Sequence, residues 1–389
     1  MKMKLFLPLT VLMTFLLAAL ATGSPLLLMP AALLLLILLT GFASVWMACR
    51  TLSVSSELDR SAVHRGENAS LSVHICHRGL LPIAPIELEI VSAPGVPVQR
   101  VHLRDVPGKF QTLSLPFCSS HVGAVCPGIR SCTVEDLLGI FRKTMIPDQA
   151  PSELLVLPRF FPTEQLRMAP GDPGSDIMSR ATEDLSSPSD IRTYQLGDPM
   201  KKIHWKLSLR KQELMVRKFD EPVLQSVLIL MDCSRPPLWG HPEAEPDIRD
   251  ALLETAASLF HDQQGTDLSV HMPLPGAHPI ELENGMGLPL IMENLSRVDF
   301  SESDRFERVL VMESRRLRKV GCLIVISARL NSNMVDVMIR MHRLGPNVRL
   351  YLITYAPEDG RVLPLISRLQ QTGIEVSYVI PERTEQITV

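Results

Sequence analysis

The feature that most constrains this chain is a stretch without charge: residues 5–49 hold no Lys, Arg, Asp or Glu. A Gly-Ser-Pro run at residues 23–25 divides the stretch into Leu5–Thr22 and Pro25–Ala48, which as helices would be about 27 Å and about 36 Å long. Each segment is long enough to cross a hydrocarbon core of about 30 Å. The pattern predicts a hairpin of two transmembrane helices over residues 1–49.

A cleaved secretory signal is the alternative interpretation of the first apolar segment. Lys2 and Lys4 would be its basic start, and the Ala-Leu-Ala run at 19–21 fits a cleavage site. Both interpretations give the same orientation, because Lys2, Lys4 and Arg50 favour the cytoplasmic side. We therefore expect a multi-pass protein of the inner (plasma) membrane with residues 50–389 in the cytoplasm.

The composition restricts the class of protein to which the chain can belong. With 46% hydrophobic and 21% charged residues, the chain is not of the disordered class, and a net charge of −3 does not favour a nucleic-acid binder. The seven cysteines form no CxxC pair and no zinc-binding spacing, and their number is odd. These features favour reduced thiols, with the group Cys118, Cys126 and Cys132 as the place where disulfides stay an alternative.

Three further segments follow the apolar one. Residues 50–147 alternate apolar and polar positions between closely spaced Gly and Pro residues, which predicts a small β-sandwich or barrel. Residues 148–190 are rich in proline, which predicts few long regular elements, and the segment 148–225 as a whole combines this linker with a signature sequence. Residues 226–389 alternate continuous apolar runs with amphipathic segments, which predicts helices around a mostly parallel sheet. Ligands of such sheets bind at the carboxyl ends of the strands.

A short signature within the linker carries a family resemblance. The sequence Asp-Ile-Arg-Thr-Tyr-Gln-Leu-Gly-Asp at 190–198 is followed by Lys-Ile-His-Trp-Lys at 202–206. This pattern resembles the bacterial family called domain of unknown function 58. The stretch Asp-Leu-Leu-Gly-Ile-Phe at 136–141 is similar to the D-P-F-G-L-F run of many members, although Leu137 and Leu138 replace Pro-Phe and Val122 stands where arginine is frequent.

The resemblance implies a fold and a possible metal site. Family members place a von Willebrand A-type α/β domain after a membrane hairpin and a β-domain. Such domains often bind Mg²⁺ through D-x-S-x-S after the first strand and a later Asp. Asp232 and Ser234 match that motif, but Pro236 offers no oxygen, and Arg329 follows the strand where the later Asp is expected. We therefore expect a degenerate motif, with no metal and no cofactor.

The resemblance also implies partners. Family members are often encoded beside a MoxR-type AAA+ ATPase and a transglutaminase-like membrane protein. The first hypothesis is therefore a membrane-anchored, non-enzymatic adaptor or scaffold that works with such an ATPase in assembly or maturation of envelope proteins. A hydrolytic enzyme using Asp232 and His204 at the carboxyl edge of the sheet is a second hypothesis, and a metal-dependent adhesion module is a third.

The signature residues have two main interpretations. Between Asp190 and Asp220 there are eight Lys or Arg and four acids, in a chain that is otherwise acidic. The structural interpretation makes Arg192 and Arg210 half-buried partners of acids, with His204 and Trp205 packed in the fold. The docking interpretation makes the lysines a face for an acidic partner or a phosphate. Catalysis by His204 lacks a neighbouring nucleophile. The candidate binding residues are Arg192, Tyr194, Gly197, Asp198, Lys201, Lys202, His204, Trp205, Lys206 and Arg210.

Overall fold

The computed structural model divides the chain into two compact units, Met1–Val156 and Leu157–Val389. Each unit is considered by itself. The structure describes residues 2–23, 25–77, 85–91, 98–103, 110–147, 151–161, 190–195, 203–218, 226–236, 244–264, 268–274, 280–300, 306–317 and 320–382.

Two apolar helices begin the first unit, α1 (Lys2–Thr22) and α2 (Pro25–Thr51), and they contact each other. Gly23 ends α1 with a positive φ of 64°, and its N–H binds the carbonyl of Ala19 at 3.0 Å. By length and composition, residues Leu26–Thr51 could cross a bilayer, whereas Phe6–Thr22 form a shorter apolar helix.

Strands make up most of what the structure describes in the rest of the first unit, and β1 starts at the residue after α2. The strands form three sheets with orders β1-β3-β6, β5-β4-β8-β9 and β2-β10-β7. Their bounds are β1 (Leu52–Leu58), β2 (Ala62–His64), β3 (Asn68–His77), β4 (Ile86–Val91), β5 (Gln99–Leu103), β6 (Phe110–Cys118), β7 (Gly123–Val125), β8 (Gly128–Glu135), β9 (Arg142–Met145) and β10 (Leu154–Leu157).

One core joins the first two of these sheets. Alternate residues of β3, such as Leu71 and Val73, point inward and meet Leu88 of β4 in a single apolar cluster. Ala48 of α2 and Leu52 belong to the same cluster, so the helix is built into the β-core without a linker. Full burial of each large aliphatic side chain stabilises the unit by about 1.5–3 kcal/mol.

The second unit is built on a six-stranded sheet with order β15-β14-β13-β16-β17-β18. All neighbouring pairs are parallel except β14 and β15. The predicted α/β sheet is therefore present, with the strand order typical of doubly wound folds. The strands are β13 (Ser226–Met231), β14 (Ser269–Leu274), β15 (Ile280–Glu283), β16 (Cys322–Ser327), β17 (Asn347–Ile353) and β18 (Glu375–Val379).

Helices and a small antiparallel strand pair complete the described part of this unit. A large apolar core includes Leu228 of β13, Leu323 of β16 and Leu350 of β17, together with helix residues such as Val335. The antiparallel edge strand β15 was not predicted, because its four residues are mostly exposed and carry two glutamates. The remaining elements are β11 (Asp190–Thr193), α3 (Trp205–Lys211), β12 (Met215–Lys218), α4 (Ala244–Asp262), α5 (Leu288–Ser296), α6 (Phe306–Glu313), α7 (Ser332–Arg343) and α8 (Leu363–Gln371).

Candidate functional site

The signature segment folds around an antiparallel strand pair. β11 pairs with β12 in the register Asp190–Lys218 to Thr193–Met215, and the N–H of Tyr194 binds the carbonyl of Leu214 at 2.8 Å. Tyr194 itself is half-buried. The pairing brings the first part of the signature beside the chain that follows α3, although more than twenty residues separate them in sequence.

His204 has a structural task at the start of α3. The side-chain Nδ1 accepts the backbone N–H of Leu207 at 3.2 Å, and the backbone N–H of His204 donates to the carbonyl of Met215 at 2.8 Å. The side chain therefore caps the helix N-terminus, a task that Ser, Thr, Asp or Asn usually performs. Accepting a hydrogen bond at Nδ1 places the proton of the neutral imidazole on Nε2.

Ser208 fixes the inner side of α3. It is buried, its Oγ lies 3.1 Å from the carbonyl oxygen of His204, and it accepts the N–H of Met215 at 2.9 Å. A buried hydroxyl with such partners ties the helix to β12. Ser208 was not among the predicted site residues, since its hydrogen bond to Met215 depends on how α3 packs against β12.

The outer side of α3 is exposed and combines apolar and basic groups. Trp205 is 60% exposed and Leu209 is 79% exposed, one helical turn apart. Lys206, Arg210 and Lys211 are exposed on the same short helix. Two expectations of the structural interpretation are therefore wrong: Trp205 is not packed in the core, and Arg210 is not half-buried.

Several signature positions lie outside the described residues: Gly197, Asp198, Lys201 and Lys202. For Arg192, the structure describes the backbone within β11, opposite Val216, but not the side chain.

A second polar cluster lies at the carboxyl edge of the large sheet, where β13 and β16 end. The buried carboxylate of Asp232 accepts the N–H of Ser234 at 3.1 Å and also bonds to the Ser234 hydroxyl. Ser327 Oγ lies 2.8 Å from Asp232 Oδ2, and the Nε of Arg329 lies 3.5 Å from the same oxygen. The two strands thus bring together residues that the sequence placed separately at this edge.

This cluster does not match the ligand set of a divalent-metal site. Pro236 contributes no oxygen, and the Asp232 carboxylate is already engaged by Ser234, Ser327 and the guanidinium of Arg329. A divalent ion would have to displace a cation that is part of the chain. Sequence reasoning missed the contribution of Ser327, whose position at a strand end next to β13 was the available signal.

The thiol beside this cluster is not a nucleophile. Burial, together with the nearby carboxylate of Asp232, raises the pKa of Cys233 to about 12. Because the thiolate is the reactive form, Cys233 is inert at neutral pH. All seven cysteines of the chain are free, and Cys118 and Cys126 are exposed.

A third group combines a histidine and two glutamates on the edge hairpin of β14 and β15. His271 Nδ1 lies 3.2 Å from Glu283 Oε1 and 3.9 Å from Glu281 Oε1. The guanidinium of Arg316 approaches Glu281 to 2.5 Å and Glu313 to 3.2 Å. With a cation of the chain already placed on Glu281, the group is a surface ion-pair network.

Comparison with known proteins agrees with the signature. The family model "Protein of unknown function DUF58" matches residues 190–270. "Uncharacterized protein YeaD" of Bacillus subtilis (strain 168) is 21% identical in an alignment 228 residues long that covers 54% of this chain and 53% of that protein. The chain thus spans about half the length of this relative.

Solved structures give weaker likenesses. The VWA domain of SpRpn10 has a TM-score of 0.29 and 11% identity, and it covers 42% of this chain and 94% of that domain. Spo0M, a sporulation control protein from Bacillus subtilis, has a TM-score of 0.18 and 15% identity, with coverage of 37% and 58%. Scores this low carry no argument, so the fold rests on the strand order given above. The family resemblance is confirmed where the signature lies: residues 190–270 match the model of the family described as "Protein of unknown function DUF58".

Proposed function

We propose that this chain is a non-enzymatic interaction module that docks an acidic protein partner through the outer side of α3. We define the α3 face by its exposed residues Trp205, Lys206, Leu209, Arg210 and Lys211. The observation that carries the proposal is the exposure of Trp205 (60%) and Leu209 (79%) one turn apart, between basic side chains. Tryptophan and arginine are the residue types that most often dominate binding energy in protein interfaces.

The helix is held rigidly from within, which favours docking. His204 caps its start, and Ser208 ties it to Met215 of β12. A surface that is ordered before the partner arrives loses less conformational entropy on binding. The polar groups of the signature therefore hold the face in place, whereas its apolar and basic side chains are left for a partner.

The charge of the face points to an acidic partner. Three cations lie on a helix of seven residues, in a chain whose net charge is −3. Clustered cations accelerate association with an acidic surface, and this attraction weakens as salt screens it. Burial of Trp205 and Leu209 would supply most of the affinity, while the cations would set orientation and association rate.

We further propose that α1 and α2 form a transmembrane hairpin and that residues 50–389 lie in the cytoplasm. In this arrangement the two larger antiparallel sheets of the first unit form a β-sandwich directly on the anchor. The family resemblance suggests the partner, a MoxR-type AAA+ ATPase, with a transglutaminase-like membrane protein in the same assembly. Such an adaptor would serve the maturation of envelope-associated proteins.

The geometry gives less support to an enzyme or a metal-dependent module. Among the described hydrogen bonds, none joins His204 to Asp232, and each side chain already has a structural partner. The Arg329 guanidinium stands beside the carboxylate that a metal would need. We therefore propose that the protein requires neither a metal nor an organic cofactor.

The test is capture of the purified ATPase by the full-length chain in lipid nanodiscs. Trp205→Ala should weaken binding at least about tenfold, because an interface anchor is removed. The double change Lys206→Glu and Lys211→Glu should weaken it most at low salt. The melting temperature should stay unchanged in both variants, because the substituted side chains are exposed.

A matched control comes from another helix of the same unit. Arg340 and Arg343 are exposed near the end of α7, so Arg340→Glu with Arg343→Glu makes the same charge change elsewhere. This control should bind as the unmodified chain does. Equal loss in the control and the α3 variant would reduce the effect to net charge, and undiminished binding by Trp205→Ala would refute the docking face.

A further inference from the structure

We infer that the turn between β8 and β9 enters the headgroup boundary of the bilayer that α2 crosses, with Leu137 and Leu138 as its lipid contacts. The inference rests on the proposed membrane anchoring of α2 and adds a second, monotopic contact from the β-domain. The turn comprises residues 136–141, the stretch that carries part of the family resemblance. The docking face of α3 does not involve it.

The exposure of the turn is the first observation. Leu137 is 87% exposed, the highest value among the large apolar side chains that the structure describes, and Leu138 is 63% exposed. Exposure of two adjacent leucines to water at the tip of a hairpin is unfavourable unless something apolar covers them. The position of the turn relative to α2 indicates which apolar phase covers the two leucines.

The turn contacts the apolar middle of α2. A Cβ on Gly41 would lie 3.2 Å from Asp136 Oδ2 and 3.4 Å from Phe141 Cδ2, so only glycine permits this close approach without a shift. The ring of Phe141 packs edge-on against that of Phe42, with centroids 5.7 Å apart. Both ends of the turn therefore rest on α2 within the uncharged stretch.

The direction of the hairpin agrees with this contact. Met145 of β9 packs against the core that contains Ala48, whereas Phe141 meets Gly41 and Phe42. Four strand residues span about 13 Å and seven helix residues about 10 Å, so β9 runs alongside α2. The tip of the hairpin therefore points toward the apolar start of α2, away from the β-core.

The bilayer position of Gly41 follows from the helix length. The 27 residues of α2 measure about 40 Å, whereas a hydrocarbon core of about 30 Å needs only about 20 residues. If the core begins at Pro25, it ends near residue 44, and Ala48, which packs in the β-core, lies beyond it. Gly41 then lies within one helical turn of the edge of the hydrocarbon core, so a turn resting on it reaches the headgroup boundary.

The polar groups of the turn form hydrogen bonds with one another, which suits a poorly hydrated environment. The N–H of Phe141 binds Asp136 Oδ1 at 2.7 Å, the N–H of Asp136 binds the Phe141 carbonyl at 3.0 Å, and the N–H of Gly139 binds the Asp136 carbonyl at 2.9 Å. Polar backbone near lipid must find such internal partners. Lys143 follows as an exposed cation, suited to lipid phosphates, whereas Arg142 pairs with Glu135.

Depth-dependent tryptophan quenching tests the inference in the full chain. Trp46→Phe, Trp205→Phe and Trp239→Phe give a background without tryptophan, into which Leu137→Trp is introduced. The chain is reconstituted in vesicles of phosphatidylcholine and phosphatidylglycerol that carry bromine on the acyl chains. We expect position 137 to lose fluorescence to an extent comparable with Trp46 alone, studied in the Trp205→Phe, Trp239→Phe protein.

Two controls separate the possible outcomes. Met312 is 72% exposed in the second unit, and Met312→Trp in the same background should be quenched by aqueous acrylamide and not by bromine. Leu138→Trp repeats the measurement should Leu137→Trp not fold. Quenching of Trp46 without quenching at position 137 would overturn the turn's insertion and leave the anchor intact. Quenching at neither position would overturn both.

One further result would also overturn the inference. If position 137 is shielded from acrylamide but insensitive to bromine, a protein and not lipid covers the turn.

Discussion

The two units of the chain bury their strands in different ways. In the first unit, β3 alternates buried and half-exposed residues along its length, because one face meets the core and the other does not. In the second unit, every residue of β16 and β17 is buried, because helices cover both faces of a parallel sheet. In the first unit, the alternating spacing of apolar residues therefore indicates a strand, whereas in the second unit an uninterrupted apolar run indicates one.

Polar groups differ between the units as well. The buried polar residues at the end of β13 and β16 are joined to one another around Asp232, at the edge where parallel strands end together. In the first unit, the turn after β8 forms hydrogen bonds among its own polar groups and presents leucines outward. A parallel sheet collects polar groups at one edge, whereas an antiparallel hairpin leaves each turn to form its own hydrogen bonds.

The largest expected effect tests the difference in burial. Leu323→Ala and Ile324→Ala, neighbours on β16, should each lower the free energy of unfolding by about 2–5 kcal/mol, because both are buried. On β3, Leu71→Ala should cost a similar amount, but Ser72→Ala should change stability by less than about 0.5 kcal/mol. Urea unfolding of the four variants measures this. A large loss for Ser72→Ala would contradict the one-sided burial of β3.

A smaller effect is expected at the carboxyl edge of the second unit. Asp232→Ala should destabilise that unit by about 1–3 kcal/mol, because Ser234 and Ser327 lose a buried acceptor and Arg329 loses its counter-charge. The exposed Glu358 is the control, and Glu358→Ala should be silent. Calorimetric melting compares the two. A saturable micromolar Mg²⁺ site abolished by Asp232→Ala would instead show that this edge binds metal.

At alkaline pH, the ionisation of one buried cysteine in each unit makes the stability of that unit depend on pH. Burial raises the pKa of Cys132 in the first unit, and of Cys233 in the second, to about 12. The unfolded thiols ionise near pH 9 and the folded ones do not, so stability is full below pH 9 and falls between pH 9 and 12. Each thiol should lower the unfolding free energy by about 1.4 kcal/mol per pH unit in this range.

Urea unfolding from pH 8 to 10.5 measures this slope, and alkylation mass spectrometry assigns it to a unit. Cys132→Ala should flatten the slope of the first unit only, and Cys233→Ala that of the second only. Alkylation of either thiol in the folded chain at pH 8, as rapid as that of exposed Cys118, would contradict their burial.

The smallest expected effect separates support from contact in the signature. His204→Ala should cost about 1 kcal/mol through loss of the helix cap, whereas His204→Asn should retain most of the stability. Trp205→Ala should leave stability nearly unchanged. Thermal melting measures all three. A neutral His204→Ala variant would remove the structural task assigned to this imidazole.

Much of the architecture could be predicted from the sequence alone. The uncharged stretch predicted apolar helices where α1 and α2 lie, and the continuous runs such as 226–231 predicted the buried parallel strands. Both patterns are strong because burial in lipid or inside a covered sheet removes charge from every position. The signature residues likewise predicted the family that the comparison confirmed over 190–270.

The tertiary structure decided the roles of individual residues. Whether His204 caps a helix, Trp205 faces outward or Ser327 joins Asp232 depends on partners far apart in sequence, which no local pattern reveals. The placement of the Leu137 turn against Gly41 was equally hidden, because the two segments are brought together only by packing of α2 on the β-core. Hydrophobic periodicity determines which elements form; side-chain contacts between distant segments determine what their polar and exposed residues do.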